Sequence, residues 1–209
     1  MQGSMSFLIR LALQGEAAIA PFSLKQSDLL ADLDGRSIAI VGNARSLADG
    51  TLGASIDDHD VVLRMHKAPM PQTQSHGAKT DWLALGMPVP LDLLAERAPD
   101  RLLWMTKARK RLRFRLVARP GFYRHPITDW QALADKLGAP PSTGALVIDL
   151  VARSQAARID LYGFDFFASL SASGSRTADQ VPHDFAAERD FVEALIRLDP
   201  RVVLHRPKD

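Results

Sequence analysis

The sequence predicts a single α/β domain built on a mostly parallel sheet with helices on both faces, and three observations carry that expectation. Short apolar runs at Ile38–Val41, Val61–Leu63, Asp81–Leu85 and Arg101–Met105 are too brief for helices and suit strands buried on both sides. Stretches with helical spacing separate them, the pattern of strand, crossover helix and parallel strand. The chain has 209 residues, of which 46% are hydrophobic and 24% charged, enough to fill one core.

Taken in order, residues 1–35 read as a helical segment of the same domain. A weakly amphipathic helix is followed by a break at Pro21-Phe22 and a short helix from Ser27 that stops at Gly35. Residues 36–209 supply the rest. The first strand ends at Gly42-Asn43, where glycine permits a sharp turn. Free backbone amides and the Asn43 side chain are expected there, facing an anion above the sheet. The second strand runs into Arg64, which is expected to tie it to its neighbours.

A loop over 66–79 leads to the third strand, a helix over 89–97 and the strand Arg101–Met105. A basic helix, a short strand at Phe114–Ala118 and a break at Pro120-Gly121 follow. Asp129–Leu137 has helical spacing and Gly138 stops it. Pro140-Pro141 forbids helix, and Ser142-Thr143-Gly144 opens an apolar helix running to Ser154. That start reads either as an ordinary cap or as a seat for phosphate or ribose, built from first-turn amides and two hydroxyls. His183 and Glu188 stand five apart, which on an ideal helix would splay them by about 140°. His183 is therefore expected just before a helix that ends at Leu198, with Glu188 on its first turn to orient the loop or a sugar.

Composition narrows the function classes. No apolar run approaches the roughly 20 residues that span a bilayer, and the chain has no cysteine, which fits a reducing compartment. A cytoplasmic protein is expected. Net charge is only +2, yet Lys107, Arg109, Lys110, Arg111, Arg113, Arg115 and Arg119 crowd one stretch. That run reads either as a solvated face or as a surface for a polyanion such as an anionic glycolipid or membrane. Nucleic acid is not expected, because Trp104 and Phe114 lie in apolar runs and not on a stacking platform. Asp32-x-Asp34 and Asp58-x-Asp60 fit a metal-binding pattern formally, but both read as turns and helix ends, so no metal site is expected.

A longer pattern gives the chemistry. Val41-Gly42-Asn43, Leu47, Gly53, Ile56-Asp57, His59-Asp60, Arg64-Met65 and Ala68-Pro69 together resemble the large sialylmotif of the animal sialyltransferases, glycosyltransferase family 29, and Gly77 to Asp81 resembles its closing segment. Pro141-Ser142-Thr143-Gly144 with Leu161-Tyr162-Gly163-Phe164 resembles the small sialylmotif, with one extra residue between the halves. His183 and Glu188 resemble the very short one.

The resemblance implies a bacterial-type soluble member with a Rossmann-like fold, a variant of the glycosyltransferase-A type. It implies an inverting, metal-independent transfer of a sialic acid or related keto-sugar acid, such as Kdo, from a cytidine monophosphate (CMP) sugar to a hydroxyl of a glycan or anionic glycolipid. No cofactor is implied beyond that CMP-sugar donor. His183 becomes the catalytic base, and Gly42, Asn43, His66, Ser142, Thr143, Gly144 and Glu188 become the nucleotide-sugar contacts. Acceptor choice falls to the loops 66–79, 119–128 and 166–182.

This sequence departs from the family at four points. No amino-terminal anchor is expected in it. Ile38 and Gln155 or Ala156 stand where the family has a disulfide, so packing must replace it. His66 replaces the asparagine after Arg-Met. The family histidine between the small and very short motifs is missing, and Arg176 is its natural substitute. Two other classes stay open: a catalytically weak nucleotide-binding protein of the same fold, and a membrane or nucleic-acid binding module using residues 107–119. Peripheral membrane contact, at the inner face, would run through Lys107, Arg109, Lys110, Arg111 and Arg113.

Overall fold

The structure, a computed structural model, describes residues 2–166 and 182–206. Seven strands form one sheet among these residues: β1 (Ser37–Val41), β2 (Val61–Met65), β3 (Trp82–Leu85), β4 (Arg101–Trp104), β5 (Phe122–Arg124), β6 (Arg158–Tyr162) and β7 (Val202–His205). Their spatial order is β5-β4-β3-β2-β1-β6-β7, and each neighbouring pair is parallel. The chain builds outward from β1 to β5, then returns to add β6 and β7 on the other side of β1. In an open parallel sheet, the crevice above the strand ends where the order reverses is the ligand-binding place. Here that is the carboxyl edge of β1 and β6.

Helices cover both faces. Helices α2 (Gln26–Ala31), α7 (Ile127–Leu137), α8 (Thr143–Ala152) and α9 (Phe185–Leu198) pack on the face that carries Ile38, Ile40, Leu63, Ala84, Leu103 and Leu161. On the other face lie α1 (Gln2–Gln14), α3 (Gly53–Asp57), α4 (Thr73–His76), α5 (Leu91–Arg97) and α6 (Phe114–Val117). Alternate strand residues serve the two layers, as the period of a strand requires. Phe122, for example, joins α1 and α6 while Tyr123 joins α7.

The local punctuation is as the residue types dictate. Gly138 ends α7 with φ +68°, a left-handed conformation that glycine adopts without strain. Ser142 caps α8 by accepting from the Ala145 amide at 3.2 Å. Asp184 caps α9 by accepting from Ala186 and Ala187 at 3.0 Å each. Gly42 has a stricter role: a Cβ there would lie 2.2 Å from the Gly163 carbonyl oxygen, so only glycine lets β1 and β6 close together at their ends.

Three expectations need correction. Phe114–Ala118 is not a strand but the helix α6, whose Leu116 and Val117 are buried with Phe7 of α1. An apolar run this short has no periodicity to separate helix from strand. The strand lies instead at β5, inside the 119–128 stretch expected as loop. The basic helix is a single 3-10 turn, Arg109–Arg111.

Arg64 is buried and donates to the carbonyls of His76 (2.7 Å) and Lys79 (2.8 Å), tying β2 to α4 and the turn after it. Where the family has a disulfide, packing and backbone bonds stand. Ile38 and Ala156 share one core, Gly35 donates to the Gln155 carbonyl at 2.9 Å, and Ala157 donates to Arg36 at 2.8 Å. The Arg201 guanidinium, just before β7, donates to the carbonyls of Ala152, Ser154 and Ala156 at the far end of α8. On the opposite face, Asp160 in the middle of β6 is fully buried. Its carboxylate meets His59 Nε2 at 2.7 Å, His205 Nε2 at 2.6 Å and Arg158 Nε at 2.5 Å.

Candidate active site

A cleft of about 720 Å³ opens at the carboxyl edge of the sheet. Its walls include Gly42 and Asn43 after β1, His66 after β2, Ser142, Thr143 and Gly144 at the start of α8, Gly163 and Phe164 after β6, and His183 and Glu188 at α9. Segments spread along the chain from Gly42 to Glu188 therefore line one cavity, at the switch point of the sheet. Arg176, expected to assist the leaving phosphate, lies outside the described residues.

The amides at the first turn are not free as expected. Gly42 donates to Tyr162 O at 2.7 Å and Ala44 donates to Gly163 O at 3.1 Å, so both continue the bonding between β1 and β6. Asn43 Nδ2 donates to the Met65 carbonyl at 3.3 Å and joins the ends of β1 and β2. The amides left open to the cleft are at α8 instead. Thr143 and Gly144 open that helix, and no described residue accepts from their N–H groups, which carry the positive end of a helix ten residues long.

Ser142 and Glu188, both expected on the nucleotide, are engaged with each other. The Ser142 amide donates to Glu188 Oε1 at 2.6 Å and its hydroxyl donates to Oε2 at 2.7 Å, so the carboxylate clamps the start of α8 to α9. Burial pushes the Glu188 carboxyl up, and these two bonds oppose that shift. Glutamine in its place could accept on one atom only and would turn an NH2 toward the second Ser142 donor. Glu188→Gln is expected to lower unfolding free energy by about 1–3 kcal/mol, read from urea titration; an unchanged midpoint would deny the clamp any role.

His183 precedes α9 and is half-buried, as its spacing to Glu188 required. Its Nδ1 lies 2.8 Å from the Pro140 carbonyl oxygen. A carbonyl can only accept, so the proton of the neutral ring sits on Nδ1 and Nε2 keeps its lone pair. The Phe185 ring stands edge-on at 5.8 Å and limits how the imidazole can turn. His66 has φ 55°, a left-handed conformation rare for a side chain of this size. Burial, and then the neighbouring His183, hold its pKa below the usual histidine range, so His66 is neutral at neutral pH.

The far half of the cleft was not foreseen. Met87, Val89, Lys107 and Trp130 line it, with the Lys107 ammonium 3.9 Å above the Trp130 ring. Arg109, grouped with Lys107 as a surface cation, turns inward. It pairs with Glu16 and donates to Thr106 O (2.6 Å) and His125 O (2.7 Å), and burial lowers its pKa to about 10. It is a strut between segments and unavailable to a membrane, whereas Lys110, Arg111 and Arg113 are exposed. Asp32 pairs with Arg101 at 2.7 Å, and Asp60 accepts from the Ser37 amide and hydroxyl at 2.8 Å, both at the amino edge of the sheet and away from the cleft.

Comparison with known proteins finds sialyltransferases. The model of glycosyltransferase family 29 (sialyltransferase) matches residues 17–86. The human CMP-N-acetylneuraminate-beta-galactosamide-alpha-2,3-sialyltransferase 1 is 29% identical, with 62% of this chain and 44% of the relative covered. The rat sialyltransferase 4 of the same description is 28% identical, over 62% and 40%. This chain thus spans less than half the length of those curated relatives. A mammalian sialyltransferase solved in complex with Gal-beta-1-3GalNAc-ortho-nitrophenol shares the fold with a TM-score of 0.59 at 17% identity, covering 99% of this chain and 86% of that one. The Campylobacter jejuni sialyltransferase CstII, in complex with cytidine-5'-monophosphate, shares it with a TM-score of 0.55 at 15% identity, covering 83% and 81%. With the family model on its first strands, curated sialyltransferases aligned to 62% of its length and their fold shared by the whole sheet, the chain is similar to the sialyltransferases of glycosyltransferase family 29 in sequence and shares their fold.

Proposed function

We propose that this protein transfers a sialic acid or related keto-sugar acid, Kdo included, from a CMP-sugar to a hydroxyl of a glycan or glycolipid, inverting the anomeric carbon without a metal ion. The observation that carries the reading is the cleft itself, in which His183, held through Nδ1 by the Pro140 carbonyl, and the open amides of α8 share one cavity. The donor phosphate would lie at Thr143 and Gly144, where the helix end and the amides favour negative charge. His183 Nε2 would take the proton of the attacking hydroxyl. The new bond forms as the bond to the phosphate oxygen breaks, so no covalent enzyme intermediate arises. Lys107, held over Trp130 in the far half of the cleft, suits an acceptor that carries an anionic group.

Thermal-shift titration with CMP, UMP, AMP and NAD tests the reading, followed by turnover of CMP-sialic acid and CMP-Kdo. CMP at one hundred times its Kd is expected to stabilise the fold by about 2.7 kcal/mol, with the other nucleotides weaker and one donor consumed. A shift with NAD and none with CMP would sink it. CMP binding with donor loss at the uncatalysed rate would leave a nucleotide-binding protein of this fold.

A further inference from the structure

Beyond the carboxyl ends of β3 and β5, apolar side chains stand in solvent. Met87 follows β3 and is 46% exposed, Leu91 opens α5, and Ile127 opens α7 just after β5. A fourth comes from α1. Leu13 is 81% exposed and lies three residues before Glu16, whose pairing with Arg109 and Arg124 brings the end of α1 to the same edge of the sheet. Single exposed apolar residues need no explanation, whereas several gathered at one edge mark a contact surface.

Cations stand among them. The turn after β4 carries Lys110, Arg111 and Arg113, all exposed. The chain has no Asp or Glu from Arg101 to Thr128, and α1 has none. Glu16 is taken by its two arginines, and Asp129 by Gln26 and Arg153. On α5, Asp92 accepts from the Leu93 amide and Glu96 pairs with Arg97. The positive charge of the turn is therefore left for a partner.

Apolar side chains set among such cations fit anionic headgroups over hydrocarbon. A nucleic acid would meet the cations and leave Leu13, Leu91 and Ile127 in water. No helix among the described residues is long and apolar enough to cross a membrane, so the fit is to its surface. We propose that this rim docks on an anionic lipid bilayer and turns the far half of the cleft, where Met87 and Lys107 lie, toward the headgroups. The docking stands apart from the CMP-sugar reading. One consequence rests on that reading: the acceptor hydroxyl arrives on a lipid-borne glycan.

Sedimentation of the full chain with phosphatidylcholine vesicles, with and without phosphatidylglycerol, tests the docking. Binding is expected only with the anionic lipid and should weaken as salt rises. Lys110→Ala, Arg111→Ala and Arg113→Ala together should weaken it about 10²-fold. Leu13→Gln with Leu91→Gln should weaken it about tenfold. Both variants should melt near wild type, because these side chains are exposed. The chain has no cysteine, so a single introduced one reports orientation. An environment-sensitive dye on Leu91→Cys or Ile127→Cys should shift to shorter emission wavelength on anionic vesicles. The same dye on Asp34→Cys, exposed before β1 at the opposite edge of the sheet, should not.

Equal binding to both kinds of vesicle, a triple alanine variant that binds like wild type, or a dye at Asp34→Cys that shifts as far as one at Leu91→Cys would overturn the proposal. Salt-dependent binding to a single-stranded oligonucleotide with none to vesicles would also overturn it, by making the rim a nucleic-acid surface. If the vesicle results hold while CMP fails to bind, the docking stands and the CMP-sugar reading alone falls.

Discussion

Replacing His183 with alanine is expected to lower kcat by about 10³-fold, the scale of losing a positioned general base, while CMP affinity and melting temperature stay near wild type. The asymmetry follows from how the residue is held. Among the described residues its ring makes one polar contact, to the Pro140 carbonyl, and the helix behind it is capped independently by Asp184. Removing the imidazole therefore deletes chemistry without unfastening α9. Single-turnover assays beside CMP titration separate the two effects. Turnover within tenfold of wild type would remove His183 from the role of base.

The second large effect is on stability and lies far from the cleft. Asp160→Asn is expected to cost about 3–5 kcal/mol, as when one partner is removed from a buried ion pair. The carboxylate is fully buried and serves His59, His205 and Arg158, while the Tyr162 ring stacks on His205 at 4.5 Å.

The pH dependence has a definite sign. Burial lowers the His59 pKa, but hydrogen bonds to Asp160 and Ser55 outweigh it and raise the net value. The stability this contributes is full below the ordinary histidine range and is lost as pH rises through the folded pKa. Burial raises the Asp160 pKa, but the bonds from His59, His205 and Arg158 bring it down, so its contribution is full above the ordinary carboxylate range and is lost as pH falls. Wild-type stability should peak between these limits. In Asp160→Asn the alkaline decline should flatten, which urea unfolding across pH will decide. An equal decline in both proteins would show that His59 does not draw on Asp160.

The sequence made the fold legible where a strand was long and apolar. Ile38–Val41, Val61–Leu63 and, after Arg101, the run to Met105 announce themselves because both faces are buried and hydrophobic. It misled at Phe114–Ala118, where four or five apolar residues serve helix and strand equally, and β5 stayed hidden because only Phe122 and Tyr123 are apolar. Convergence of the three motifs could be anticipated, since the carboxyl ends of parallel strands share one edge. What those residues do to each other could not. Glu188 and Ser142 are 46 positions apart, and nothing in either residue type foretells a clamp. The Asp160 cluster draws on the turn before β2, on β6 and on β7, and the inward turn of Arg109 depends on Glu16 and on His125, just after β5. Such pairings are decided by sheet order, which local spacing does not encode.

The grip of Arg201 on the last carbonyl of α8 and on two in the turn after it reaches beyond the strand it precedes. That helix presents its opposite end to the cleft, so Arg201 anchors the rod on which the ligand would rest, though none of the described residues from Arg201 onward lines the cavity. A fragment cut before Arg201 would keep every motif and lose the footing beneath one of them. The smallest working unit of this protein is therefore larger than the map of its signature residues.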